Sequence, residues 1–209
     1  MEQAAVKEKE ESQDKPTLTD RMRGWFRGVL DPIGGFLNRL GLKPNTITLL
    51  GLVGNTLGAF FLAQGQMTLG GIIILLMGPV DALDGTMARL RGESSDFGAF
   101  VDSVTDRYSE LIIFGGLLIF FLREDQWIAA GVTYLAAAGS VLVSYTRSRA
   151  QSLGYDTKVG VLTRMERYLV LAPSLVINIP LVGVVIIAFL ANLTALQRIW
   201  DIRRQTHSR

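Results

Sequence analysis

Six long apolar runs constrain this chain more than any other feature of its sequence. They are separated by short polar breaks and lie near residues 46–64, 69–90, 97–122, 127–151, 166–179 and 181–200. At about 1.5 Å per residue, most of them are long enough to cross roughly 30 Å of hydrocarbon as helices. The sequence therefore predicts an all-α integral membrane protein with six transmembrane helices. The short break before Pro180 favours a tight hairpin between the last two runs over a single broken span.

The chain before the first run has two parts of different character. Residues 1–16 are charged and polar, which predicts a disordered cytosolic tail. Residues 17–42 repeat apolar side chains at three- and four-residue steps with arginines between them, which is typical of an amphipathic helix in the membrane interface. We expect a bend or interruption near Pro32. The six-span domain is predicted over residues 43–203, with a cytosolic tail over 204–209.

Basic residues predict the orientation of the spans. If the N-terminus is cytosolic, Arg123 is the only one of the 21 lysines and arginines on the outer side. Both termini then lie at the cytosolic face of the cell membrane. The chain has no cysteine, and its one histidine, His207, lies in the C-terminal tail, so carboxylates must do any acid–base work. The formal net charge of +2 gives no indication of nucleic-acid binding.

Four carboxylates are clustered where the second run ends and the third begins. Asp81 and Asp84 are spaced i,i+3, and Asp102 and Asp106 are spaced i,i+4, so on helices each pair shares one face. Such charges next to hydrocarbon require partners. They could bind hard divalent cations, relay protons or ions in a transporter, or be solvated at a helix end. Glycines beside both pairs weigh against the last interpretation.

The spacing of these residues also resembles that of a known family. Residues 81–106 read Asp-x2-Asp-Gly-x2-Ala-Arg-x8-Gly-x3-Asp-x3-Asp, which is similar to the CDP-alcohol phosphotransferase (CDP-alcohol phosphatidyltransferase) family at every fixed position. The resemblance implies an enzyme of phospholipid biosynthesis that moves a phosphatidyl-type group from a CDP-linked lipid to an alcohol and releases CMP. It also implies that Asp81, Asp84, Asp102 and Asp106 hold two Mg²⁺ ions, with Mn²⁺ as the alternative, and that Asp106 is the catalytic base.

The resemblance further implies which residues hold the CDP moiety. They are Asn45, Thr48, Asp84, Gly85 and Arg89. Asn45 and Thr48 follow Pro44 at a predicted helix start, so helix capping is an alternative role for them. Arg89 could instead be an ordinary anchor at the inner face of the membrane.

A second group of basic residues follows the fourth run. Its arginines could be anchors at the inner face, or they could line a pocket for a phosphorylated acceptor. The stretch is similar to the phosphatidylinositol-phosphate synthase branch of the family, which implies that Arg149, Arg164 and Arg167 grip the phosphate of inositol 1-phosphate. Met165 stands where that branch has proline. Glycerol 3-phosphate carries a similar charge, so phosphatidylglycerophosphate synthesis is the nearest alternative.

Two interpretations from other classes use the same carboxylates. A cation transporter would need ionisable groups toward the outer face, and the last three runs carry no acidic residue in their apolar cores. A non-catalytic scaffold would tolerate the loss of a motif carboxylate, and all four are present. The resemblance also implies a homodimer surrounded by membrane lipid. It leaves open whether the CDP-linked lipid is diacyl or diether.

Overall fold

A computed structural model describes residues 18–93, 95–157 and 159–207 of the chain. The helices of this part are α1 (Leu18–Arg39), α2 (Pro44–Ala63), α3 (Met67–Arg91), α4 (Asp96–Arg123), α5 (Trp127–Ser152), α6 (Arg164–Val176) and α7 (Pro180–His207). The described residues contain no strand, which confirms the all-α prediction. The predicted tail over residues 1–16 lies outside the described residues.

Four of the helices, α2, α3, α5 and α7, are long and apolar enough to cross a membrane. The chain is therefore a multi-pass membrane protein. Helix α4 has 28 residues but carries Asp102, Asp106 and Arg107 in its first half. Helix α6 has 13 residues, or about 20 Å of helix, and so reaches only part of the way across the hydrocarbon. The six-span arrangement stays a prediction.

The helices form one bundle in which consecutive elements are not always neighbours. Helix α2 packs on α3 and α4, α3 packs on α6, and α7 packs on α5 and α6. The main core contains small aliphatic residues together with Phe114 and Phe121 of α4. Gly116 lets α4 approach α2 closely, because a Cβ at this position would lie 3.0 Å from the carbonyl carbon of Ala59. Small residues permit such close helix contacts in membrane proteins.

Of the bend or interruption predicted near Pro32, the interruption is wrong, because α1 is continuous from Leu18 to Arg39 with Pro32 inside it. Leu30 and Gly34 are buried, and a Cβ on Gly34 would lie 3.2 Å from Thr86 Cγ2 of α3. Packing against α3 therefore supports the helix across the position where proline lacks a backbone donor. The location of α1 in the membrane interface stays a prediction.

The start of α2 and the turn between α6 and α7 each decide between two interpretations of the sequence. Lys43 is the N-cap of α2 and Pro44 its first residue, without a side-chain cap, so the capping role considered for Asn45 is wrong. Proline suits the first helical position because its φ is already helical there. Asn178 has a φ of 59° in the turn between α6 and α7, and Pro180 begins α7. The last two runs are therefore two helices in a tight hairpin, as predicted.

Candidate active site

The candidate site lies where the start of α2, the end of α3 and the starts of α4 and α6 meet. Helix α3 ends at Gly92, which has a left-handed φ of 67°. Helix α4 begins after Ser95, whose hydroxyl accepts a hydrogen bond from the Gly98 N–H at 3.0 Å. These two helix-end signals turn the chain back within a few residues. Both aspartate pairs are thereby placed at the same end of the bundle.

The structure brings the four motif carboxylates together. Asp84 and Asp106 are buried, and Asp81 and Asp102 are half-buried. Asp102 lies within electrostatic range of each of the other three. Among the residues described, however, no three acidic side chains are arranged closely enough to hold one ion between them. The carboxylates therefore share a site without forming a ready-made ligand sphere.

The guanidinium of Arg164 explains this arrangement, because it lies between the carboxylates of α3 and α4. Its Nη2 is 2.5 Å from Asp106 Oδ1 and 3.3 Å from Asp81 Oδ2. Arg164 is the first residue of α6, which begins there because Thr163 and Glu166 form a capping box. A positive group thus already sits between two of the motif aspartates. The oxygen-only donor set also fits hard divalent cations, which would take the place of Arg164.

Helix α2 supports the carboxylates of α3 from the other side. The buried Thr48 hydroxyl donates to Asp84 Oδ2 at 2.5 Å, and the Gly85 N–H lies 2.5 Å from Asp84 Oδ1. Gly51 leaves room for Asp81, since a Cβ at position 51 would collide with Asp81 Oδ1. Asp84 is therefore held by a hydrogen bond from α2, and Asp81 lies close to the α2 backbone at Gly51. Thr48 acts on the site through Asp84.

The other residues predicted to bind CDP are exposed around this end of the bundle. Arg89 donates from Nη2 to the Thr86 hydroxyl at 3.0 Å, one turn earlier on the same helix. Asn45 is exposed in the first turn of α2. Gly85 is also exposed, and a Cβ there would meet nothing within 4 Å. These positions are accessible to a ligand approaching from solvent.

The three arginines predicted to bind the acceptor phosphate have different surroundings. Arg149 is exposed near the end of α5, with Nη1 3.3 Å from the Ser152 hydroxyl. Arg167 is only 2% exposed and pairs with Glu110 of α4, with Nε 2.7 Å from Oε1 and Nη2 3.1 Å from Oε2. Its Nη1 lies 3.4 Å from the Leu162 carbonyl oxygen. The bonding edge of Arg167 therefore faces a carboxylate of the protein, and its contact with the acceptor phosphate stays a prediction.

Two residues that make contacts near the site were not identified from the sequence. Glu110 follows Asp106 by four residues, as Asp106 follows Asp102, so the same helix-face argument could have identified it. Tyr168 contacts the backbone of α3 shortly before Asp81, through its hydroxyl group. This contact joins residues far apart in the chain, and no local spacing indicates it.

Comparison with known proteins identifies related sequences along nearly the whole chain. The model of the CDP-alcohol phosphatidyltransferase family matches residues 42–199. An archaetidylinositol phosphate synthase from Pyrococcus horikoshii is 35% identical over 191 residues, covering 90% of this chain and 98% of the relative. A phosphatidylinositol phosphate synthase from Streptomyces avermitilis is 33% identical over 208 residues, covering 92% of this chain and 85% of the relative.

Solved structures with the same architecture are also known. The crystal structure of Mycobacterium tuberculosis phosphatidylinositol phosphate synthase with CDP-DAG bound has a TM-score of 0.77 and 28% sequence identity, covering 82% of this chain and 92% of that chain. A second structure of that enzyme, in complex with manganese and citrate, also has a TM-score of 0.77, with coverages of 81% and 87%. The residues matched by the family model, 42–199, include both helices that carry the carboxylates.

Proposed function

Because the chain belongs to the CDP-alcohol phosphatidyltransferase family, we propose that it transfers a phosphatidyl group from CDP-diacylglycerol, or from a CDP-diether lipid, to inositol 1-phosphate. The products are CMP and phosphatidylinositol phosphate. One observation carries the proposal: the four motif carboxylates converge with Arg164 in a chain whose relatives are named for this kind of product. Family membership makes the chain a transferase, rather than the transporter or scaffold that the carboxylates alone left open.

The proposed cofactor is a pair of divalent cations, Mg²⁺ or Mn²⁺, held by Asp81, Asp84, Asp102 and Asp106. The oxygen-only donor set supports this, as does the manganese complex of the solved relative. When bound, such ions would neutralise charge on the diphosphate and acidify the attacking hydroxyl. Asp106 is the proposed general base that accepts the proton of that hydroxyl, because it is buried at the centre of the site.

For the CDP moiety we propose contacts around the end of α3. Arg89 would bind a phosphate oxygen pair in a bidentate way, once it leaves the Thr86 hydroxyl. Gly85 and Asn45 are exposed for contact with the nucleotide, and Thr48 contributes by fixing Asp84. Each of these contacts would favour a nucleotide lying across the start of α2 and the end of α3.

For the acceptor phosphate we propose Arg149 and Arg164 as direct ligands, because both side chains are exposed. The planar guanidinium matches the geometry of phosphate oxygens. Arg167 was predicted as a third ligand, and its pairing with Glu110 supports an indirect contribution instead. It would hold the start of α6, and hence Arg164, against α4.

We propose that all six helices from α2 to α7 act as spans or partial spans, that α1 lies in the membrane interface, and that the protein is a homodimer. The active site and both termini would face the cytosol, where most arginines lie. Arg123, at the opposite end, donates to the Ala63 carbonyl oxygen at 3.1 Å. This distribution follows the rule that basic residues remain on the cytosolic side.

The test is CMP release from CDP-diacylglycerol in the presence of Mg²⁺. Inositol 1-phosphate, glycerol 3-phosphate, serine and inositol are supplied in turn as the acceptor. We expect activity with inositol 1-phosphate and its loss in Asp106→Asn. A clear preference for glycerol 3-phosphate would replace the proposal with phosphatidylglycerophosphate synthesis. Normal turnover of the Asp106→Asn enzyme would remove this residue from the role of base.

A further inference from the structure

Helix α3 contains a proline shortly before its two motif carboxylates. Pro79 lies inside the helix, two residues before Asp81. Proline has no backbone N–H, so the Leu75 carbonyl, four residues earlier, loses its helical donor. Inside a bilayer no water replaces the missing partner, and an unpaired carbonyl is costly there. The gap in the hydrogen-bond ladder therefore requires a donor from another part of the protein.

Tyr168 of α6 supplies that donor. Its hydroxyl oxygen lies 2.6 Å from the Leu75 carbonyl oxygen and 3.1 Å from the Ile74 carbonyl oxygen. The same hydroxyl accepts a hydrogen bond from the Gly78 N–H at 3.2 Å. Since a phenol has one proton to donate, we assign it to Leu75 on distance. The side chain thus inserts into the backbone ladder of α3 at the point where proline opens it.

The approach of the tyrosine ring depends on glycine at position 78. A Cβ on Gly78 would lie 2.8 Å from Tyr168 Cε1 and closer still to the end of the ring. A non-bonded carbon pair at this distance is well inside van der Waals contact. Gly78, Pro79 and Tyr168 are therefore mutually complementary, although they come from helices that are distant in the sequence.

Helix α6 contacts α3 at two successive points. Tyr168 holds the backbone at the proline, and Arg164, one turn earlier on α6, reaches Asp81. The direction of α3 beyond Pro79 decides where Asp81 and Asp84 lie relative to the carboxylates of α4. A change at the proline would be transmitted to them along a rigid helix.

We propose that Tyr168 is a positioning residue for the carboxylate site, in a role that rests on the proposed function. By closing the gap left by Pro79, its hydroxyl sets the direction of the last turns of α3. It thereby places Asp81 and Asp84 opposite Asp102 and Asp106. Groups that orient metal ligands typically change metal affinity by about 10- to 100-fold when they are removed.

The primary test is Tyr168→Phe in the full-length protein, in detergent or nanodiscs. Binding of Mn²⁺ is titrated by electron paramagnetic resonance, and CMP release is measured alongside. We expect the Mn²⁺ dissociation constant to rise by about tenfold or more, and kcat to fall while KM for the CDP-lipid changes little. Tyr145→Phe is the control, because that tyrosine is exposed. Unchanged Mn²⁺ affinity in Tyr168→Phe overturns the proposal.

A double variant tests the link to proline directly. Pro79→Ala restores a backbone N–H for the Leu75 carbonyl, so in that background Tyr168→Phe should change Mn²⁺ affinity by less than about threefold. An equal loss with and without Pro79 would show that the hydroxyl acts in some other way. Because the two residues are close in space, we expect the effects of the two substitutions on Mn²⁺ affinity not to be additive.

A third variant covers the case in which Tyr168→Phe fails to fold. Gly78→Ala pushes the ring aside while leaving the hydroxyl on the protein, and it should weaken Mn²⁺ binding in the same direction. Gly131→Ala is the matched control, since a Cβ there meets nothing within 4 Å. Wild-type affinity in Gly78→Ala counts against the proposal.

The outcomes also separate this inference from the proposed function. A wild type that binds Mn²⁺ but releases no CMP with any acceptor contradicts the proposed function, while the comparison of Mn²⁺ affinities still decides the role of Tyr168. A wild type that is active, together with a Tyr168→Phe variant of unchanged affinity, overturns the inference alone. A wild type that binds no Mn²⁺ overturns both.

Discussion

Replacing Glu110 with glutamine should destabilise the protein strongly, because it leaves the charge of Arg167 buried without its partner. The arginine side chain is 2% exposed and the glutamate side chain 18% exposed, and two nitrogen–oxygen distances of 2.7 and 3.1 Å join them. Removing one member of such a pair costs about 3–5 kcal/mol. Because glutamine keeps one acceptor oxygen and the Glu110 side chain is 18% exposed, we take about 3 kcal/mol. For a chain of this size that corresponds to roughly 6–12 °C in melting temperature.

The assay is thermal unfolding in detergent, with CMP release measured at a temperature where both proteins are folded. Glu93→Gln is the control, because Glu93 is 66% exposed and 3.8 Å from Arg91, and an exposed pair is worth about 0–1 kcal/mol. Adding Arg167→Met to Glu110→Gln removes the unpaired charge and should restore most of the stability.

The double variant also separates the two roles considered for Arg167. If the arginine only anchors α6, activity should recover with stability, and KM for inositol 1-phosphate should stay near that of the wild type. If Arg167 binds the acceptor phosphate itself, that KM should stay high in the stable double variant. A Glu110→Gln protein that melts within about 2 °C of the wild type, less than 1 kcal/mol of effect, would refute the reasoning.

Two further predictions follow from contacts at the carboxylates. Arg164→Gln should tighten Mn²⁺ binding by about 5- to 30-fold in the absence of acceptor, since two carboxylates lose a competing cation worth roughly 1–2 kcal/mol. Calorimetry measures this against Arg149→Gln, and weaker binding would contradict it. Thr48→Val should lower kcat by about 10- to 100-fold, because it removes a charge-assisted hydrogen bond to Asp84 worth about 1.5–3 kcal/mol. Thr56→Val, which removes only a bond to its own helix, should leave CMP release unchanged.

The sequence predicted the features that depend on local patterns. Long apolar runs gave the helices from α2 to α7 with bounds close to those observed, and the break before Pro180 gave the hairpin. The i,i+4 spacing of Asp102 and Asp106 predicted that both lie on the same side of α4. The turn at Gly92 places the other pair, Asp81 and Asp84, at the same end of the bundle. These features follow from periodicity and from residues with special backbone conformations.

The sequence did not predict what depends on packing between distant elements. A bend or an interruption was expected near Pro32, and contacts with α3 keep α1 continuous there. The pairing of Arg167 with Glu110 was not predicted, because the two residues lie on different helices. Tyr168 was overlooked because its hydroxyl bonds the Leu75 carbonyl, and no sequence pattern indicates a contact with a backbone group. In each case the deciding contact joins residues that are far apart in the chain.

The central claim is that the four motif carboxylates bind divalent cations for transfer from the CDP-lipid. The direct measurement is the number of Mn²⁺ ions bound per chain, by electron paramagnetic resonance, with CDP-diacylglycerol present. We expect about two ions in the wild type, as in two-metal phosphoryl-transfer sites, and a loss of at least one in Asp84→Asn and in Asp106→Asn. No bound Mn²⁺ in the wild type, or an unchanged number in both variants, would contradict it.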